Sequence, residues 1–135
     1  MHGGHEGTEP VSADVNRTGK AVLDAAFAVH SELGPGLLES VYEHCLEEEL
    51  RVAGLSVERQ VPVPVSYRTS RLDAGFRVDL LVERSVIVEI KSIDALASIH
   101  TAQVLTYLRF SKLRLGYLIN FNARHLKDGI RRLVL

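Results

Sequence analysis

Apolar residues recur at helical spacing between Asn16 and Leu33, where Val22, Ala25, Ala26, Val29 and Leu33 share one face. Gly34-Pro35-Gly36 ends that helix. A second is predicted from about Leu37 to Ala53, with Leu38, Val41, Tyr42, Cys45, Leu46 and Leu50 turned inward and Gly54 as its stop. From Val57 to Tyr67 the period becomes two, with Val57, Val61, Val63 and Val65 on one face. Pro62 and Pro64 lack ladder donors and place that strand at a sheet edge. Two more strands, Leu72–Val82 and Ser85–Lys91, meet at a tight turn near Glu83-Arg84. Ser98–Phe110 reads as a helix, Leu115–Asn120 as a strand, and Ile130–Leu135 as a short final strand or helix end. The order ααβββαβ with a short terminal element describes an α/β fold, a mixed sheet flanked by helices. Residues 1–14 carry glycines, a proline, His2 and His5 but no periodicity, so a flexible tail is expected ahead of one domain spanning residues 15–135.

Composition narrows the class. The 135 residues suit a single domain. No apolar run approaches the roughly 20 residues of a membrane helix, and the polar start lacks a secretion signal, so no membrane partner and a cytoplasmic location are expected. Cys45 is the only cysteine, which excludes an internal disulfide and an all-cysteine zinc site. The net charge of −1 conceals a division: residues 1–83 hold 7 bases and 14 acids, whereas residues 84–135 hold 9 bases and 3 acids.

The chemistry concentrates in residues 76–92, FRVDLLVERSVIVEIKS. A hairpin centred on Arg84 sets Val78 against Ile90, Leu80 against Val88 and Val82 against Val86, one wholly apolar side. The other side then pairs Asp79 with Glu89 and Arg77 with Lys91. Two carboxylates about 5 Å apart at their Cβ atoms repel unless compensated. A divalent cation compensates them; so does a solvated face on which Arg77 and Lys91 form salt bridges with them. On the second helix Glu39 borders the inward stripe, while Glu43, Glu47, Glu48 and Glu49 are expected to face solvent. Gln103 and Tyr107 lie one turn apart on the third helix. His30 projects from the first helix, either toward the same centre or as a packing residue.

In order along the chain, these residues resemble a known pattern. Gly36-Leu-Leu-Glu39-Ser-Val-Tyr42 resembles the signature of the GxxExxY proteins, a bacterial family within the PD-(D/E)XK nuclease superfamily. Asp79 followed by Glu89-Ile90-Lys91 is similar to the superfamily's core of an Asp and then an acid-x-Lys on the next strand, although Val78 stands where that core nominally has Pro. Gln103-Val-Leu-Thr-Tyr107 resembles its QxxxY helix, and Gly116-Tyr-Leu-Ile-Asn120-Phe121 the family's late strand.

The resemblance implies a restriction-endonuclease-like fold and a Mg²⁺-dependent (or Mn²⁺-dependent) nuclease. It implies Asp79, Glu89 and the Ile90 backbone carbonyl as metal ligands, with Glu39 completing the shell directly or through water. Lys91 is then expected to orient the attacking water or stabilise developing charge, with Gln103 holding Lys91 or the substrate and Tyr107 and His30 in support. Arg109, Lys112 and Arg114 are candidate contacts to nucleic acid, with Arg124, Lys127, Arg131 and Arg132 extending a cationic rim. A homodimer is compatible with cutting a duplex. A noncatalytic interaction module of the same fold is the alternative.

Overall fold

The computed structural model describes residues 9–135; His2, His5 and most of the expected tail lie outside the described residues. Helix α1 spans Ala13–Leu33 and is capped by Ser12, whose side chain accepts from the Val15 amide. Gly34 and Gly36 adopt left-handed backbone at φ 67° and 101°, which ends α1 and turns the chain into α2, Glu39–Val52. Three strands follow: β1 (Val57–Tyr67), β2 (Ser70–Val82) and β3 (Val86–Lys91). Helix α3 (Ser98–Ser111) crosses to β4 (Leu115–Asn120), and a short 3-10 turn at Leu126–Gly129, not foreseen from the pattern, leads into β5 (Ile130–Val134).

The sheet order is β1-β2-β3-β4-β5, with β3 and β4 parallel and every other pair antiparallel. This is the mixed, helix-flanked sheet that the pattern predicts. The strand with Pro62 and Pro64 is an edge strand, as ladder chemistry requires. Glu83 and Arg84 both take positive φ, forming the tight turn between β2 and β3.

Two cores sandwich the sheet. One gathers Val22, Ala26, Val29, Tyr42, Leu46 and Leu50 of α1 and α2 onto Leu80, Val82, Val86, Val88 and Ile90. The other packs Val104 and Leu108 of α3 onto Val63, Val78, Leu81, Ile87 and Leu118. Gly116 allows the close approach of α3, because a Cβ there would meet Val104 at 3.0 Å.

The assignment of faces departs from simple alternation in two places. Val57 belongs to the first core, whereas Val61 and Val63 belong to the second, so the four β1 valines do not share a face. Likewise Val78 lies in the α3 core and Ile90 in the α1/α2 core, so they do not face each other. The cause is local. Gln60 takes left-handed backbone at φ 51°, and the β1–β2 ladder skips the Gln60/Asp79 rung between Arg59↔Leu80 and Val61↔Val78. Both strands therefore change faces at the same level.

On α2 the buried stripe is rotated by one position. Tyr42, Glu43, Leu46 and Leu50 are buried, whereas Leu38 is 73% and Val41 37% exposed. Glu43 falls three before Leu46 and seven before Leu50, which is helical spacing for one face, and this overturns its expected exposure.

Candidate active site

The ladder between β2 and β3 comprises Val82↔Val86, Leu81↔Ile87 and Leu80↔Val88. Beyond that last rung the strands part, and side chains take over the pairing. Asp79 Oδ2 accepts from the Ile90 amide at 2.8 Å, and the Asp79 amide points at Glu89 Oε1 at 3.4 Å. The two carboxylates are thus brought together, though not as opposed rungs of a regular hairpin.

None of the ion pairs among the described residues includes Asp79, Glu89, Arg77 or Lys91. The salt-bridged strand face is therefore not what forms. Glu89 is only 7% exposed. Its burial, and then the charge of Asp79, push its carboxyl up to about 8. Burial also raises Asp79, and the nearby charge of Glu43 adds to that, against the lowering effect of the Ile90 amide. Lys91, half-buried on β3, lowers both carboxyls through its charge without closing to an ion pair.

Helix α2 supplies two further carboxylates. Glu39 Oε2 accepts from the Ser92 amide at 3.2 Å, while Ser92 Oγ donates to the Leu37 carbonyl at 2.6 Å. These bonds dock the start of α2 on the segment leaving β3, and the Glu39 charge acts on Glu89. One turn later, Glu43 accepts from Arg59 at 3.1 Å and from Gln60 Nε2 at 2.9 Å. The same Gln60 nitrogen reaches Asp79 Oδ1 at 3.2 Å, joining α2, β1 and β2 at the site. Glu43 and Gln60 were not among the expected site residues. The spacing to Leu46 and Leu50 was a signal for Glu43; nothing in the sequence marks the backbone reversal at Gln60.

Tyr42 has a structural part in its motif. Its buried hydroxyl donates to the Gly34 carbonyl at 2.5 Å and accepts from the Leu37 amide at 3.2 Å, and its ring stacks on Phe121 at 4.7 Å. That closes the α1–α2 loop and fixes where Glu39 begins. On the opposite side of the sheet Tyr107 stacks on Phe76 at 4.4 Å. Burial raises its hydroxyl, and the charges of Glu89 and Asp79 raise it further, so it remains an O–H donor at neutral pH. Gln103 is half-buried one turn earlier on α3.

Other expected residues are placed elsewhere. His30 Nε2 donates to the Ala123 carbonyl at 2.8 Å and fastens α1 to the loop after β4. Arg114 spends its guanidinium on the Leu135 and Glu9 carbonyls. With Arg109 and Lys112 it lines a cavity of about 360 Å³ at the end of α3. Arg114 precedes Leu115, which pairs with Val86, so Arg114 lies at the opposite end of β3 from Lys91, roughly 16 Å away at strand rise, whereas Arg109 lies over the Phe110 ring at 5.0 Å. Arg114 therefore does not rim the carboxylates.

Among the described residues, no three His, Cys, Asp or Glu side chains converge closely enough to hold a metal ion by themselves. The donor set still fits a hard cation of the Mg²⁺ kind, which characteristically takes one or two carboxylates and fills its remaining positions with water and phosphate oxygens. Asp79 and Glu89 provide that pair, and their mutual repulsion is what such an ion relieves.

A splayed β-hairpin with an acid on each strand, a lysine two residues on and a helical acid across the gap defines a restriction-endonuclease-like α/β protein. The chain belongs to the PD-(D/E)XK nuclease superfamily, whose family model matches residues 16–133. Searches of curated proteins and of solved structures return no match. No helix among the described residues is long and apolar enough to cross a membrane.

Proposed function

We propose that this protein is a metal-dependent nuclease of the GxxExxY type, hydrolysing phosphodiester bonds. The observation that carries the reading is the parting of β2 and β3 at Asp79 and Glu89, which leaves two half-buried or buried carboxylates together without an ion-pair partner among the described residues. Asp79, Glu89 and the Ile90 carbonyl would hold Mg²⁺ or Mn²⁺. Such an ion, when bound, acidifies water and neutralises phosphate charge.

The chain's own groups supply the rest. Lys91 orients the attacking water or stabilises negative charge developing on the phosphoryl oxygens. Gln60, itself held by Glu43, fixes the Asp79 carboxylate from the side away from Ile90. Glu39 holds Ser92 and keeps the chain leaving Lys91 in place. Tyr107 donates toward the acidic face, and Gln103 stands beside it to hold Lys91 or the substrate backbone. With one such site per copy, a pair of copies would cut both strands of a duplex.

The test is cleavage of labelled single- and double-stranded DNA and RNA with Mg²⁺ or Mn²⁺ by wild type, Asp79→Asn and Lys91→Ala. Divalent-dependent cleavage lost in both variants, with unchanged melting profiles, supports the reading. Equal cleavage by all three, or none by wild type, leaves the noncatalytic interaction module.

A further inference from the structure

Beyond Asp79, β2 pairs only with β1. From Asp79 back to Ser70 the two strands form a ribbon roughly 30 Å long, at about 3.3 Å per residue, which runs on past the last β2–β3 rung. Its base is firmly held. Phe76 stacks on Tyr107 and leans on Phe110, and Val63 and Val78 are buried against α3. Gly75 lets the strands close, since a side chain there would run into Val65.

Its tip has a different character. Residues 66–74 are all exposed, including Tyr67 at 66% and Leu72 at 61%. Arg68 lies over the Tyr67 ring at 5.6 Å, and Arg71 and Arg77 are exposed on the opposite strand. Asp73 is the only acid between Val61 and Val78, against these three arginines, in a half of the chain that is otherwise strongly acidic.

Guanidinium groups beside an exposed tyrosine match the phosphates and the stacking faces of a nucleic-acid strand. The ribbon also leaves the sheet at the carboxylates, whereas Arg114 sits at the other end of β3. We infer that the β1–β2 ribbon is the arm that holds the nucleic-acid backbone against the Asp79/Glu89 site, through Arg68, Arg71 and Arg77 with Tyr67 at its tip. The inference rests on the nuclease reading and assigns the substrate-binding surface for it.

The experiment measures binding of a fluorescein-labelled 20-nucleotide strand and its duplex by anisotropy, in EDTA, across a range of salt. Arg68→Ala/Arg71→Ala is expected to weaken binding roughly ten-fold and to reduce the slope of log affinity against log salt by about 2, near one per phosphate contact. Arg68→Lys/Arg71→Lys retains the slope because the charges remain. Both guanidiniums are exposed, so neither variant changes the melting temperature. If the alanine pair binds with wild-type affinity and slope, or the lysine pair loses as much of the salt slope as the alanine pair, the arm is overturned. The same holds if only Arg109→Ala/Lys112→Ala weakens binding. In each of those cases metal-dependent cleavage by wild type keeps the nuclease reading intact. Wild type that neither binds nor cleaves removes both.

Discussion

The Asp79 carboxylate stands in for a missing rung of the sheet: its Oδ2 accepts the Ile90 amide hydrogen at 2.8 Å where the β2–β3 ladder has already ended. A side chain that completes backbone pairing is fixed by the fold itself, so its position does not wait on substrate or metal. It also makes the choice of substitution informative. Alanine would orphan the Ile90 amide, whereas asparagine offers an oxygen in the same place.

Asp79→Asn is therefore expected to fold as wild type does while losing saturable Mn²⁺ binding in calorimetry and any metal-dependent cleavage. Because it removes a negative charge facing Glu89, its metal-free melting temperature at pH 8 should equal or exceed that of wild type. A clearly lower value would mean that the asparagine does not preserve the bond to Ile90.

Acidity provides a second check. Glu89 is held near 8 in the folded chain against an ordinary value of 4.5, so over that interval the folded state keeps a proton that the unfolded state has lost. Metal-free stability must then fall as pH rises from about 4.5 to about 8, and Asp79, shifted in the same direction, adds to the fall. Urea unfolding in EDTA at pH 5 and pH 8 measures the difference. Glu89→Gln should flatten it, and millimolar Mg²⁺ at pH 8 should restore much of the loss to wild type but not to Glu89→Gln.

Gln60 combines a left-handed backbone with a bridge between two carboxylates. Gln60→Ala and Gln60→Gly both lose the bridge, and each should bind Mn²⁺ about ten-fold or more weakly, as outer partners of metal ligands do. They should differ in stability. Alanine at positive φ is strained by about 1–2 kcal/mol and glycine is not, so the glycine variant should be the more stable in urea. Equal metal affinity in wild type and both variants would show that Asp79 is held without the bridge.

Tyr42→Phe keeps the stack on Phe121 and removes only the hydroxyl that joins Gly34 to Leu37. Its loss leaves a carbonyl and an amide without that partner, an expected destabilisation of about 1–3 kcal/mol. Amide exchange at Leu37 and Val41 should accelerate, and cleavage should fall because Glu39 loses its fixed starting point. Protection unchanged from wild type would mean that the loop is held by other contacts.

Much of the architecture was legible because it follows short-range rules. The turn at Glu83-Arg84, the Pro62 edge strand and the break at Gly34-Pro35-Gly36 are each specified by the residues that form them. The pairing of Leu80 with Val88 and Val82 with Val86 followed from alternation for the same reason. What escaped was the reversal at Gln60, a backbone state that glutamine seldom adopts and that only the assembled site makes worthwhile. That reversal displaced Val78 from its expected partner. Glu43 escaped for a different reason: in a run of four nearby glutamates its charge outweighed its spacing to Leu46 and Leu50. The place of Arg114 was not legible either, since the crossover through α3 carries it to the end of β3 away from Lys91.

The change of faces at Gln60 and Asp79 has a mechanical result. Each of β1 and β2 begins in one hydrophobic core and ends in the other, so these strands stitch the two layers together at the level of the acidic pair. Neither layer can melt alone without pulling the stitch, and the molecule should unfold in a single transition. A ligand that grips the stitch would then tighten both layers at once, registering as a rise in global stability however small its contact area.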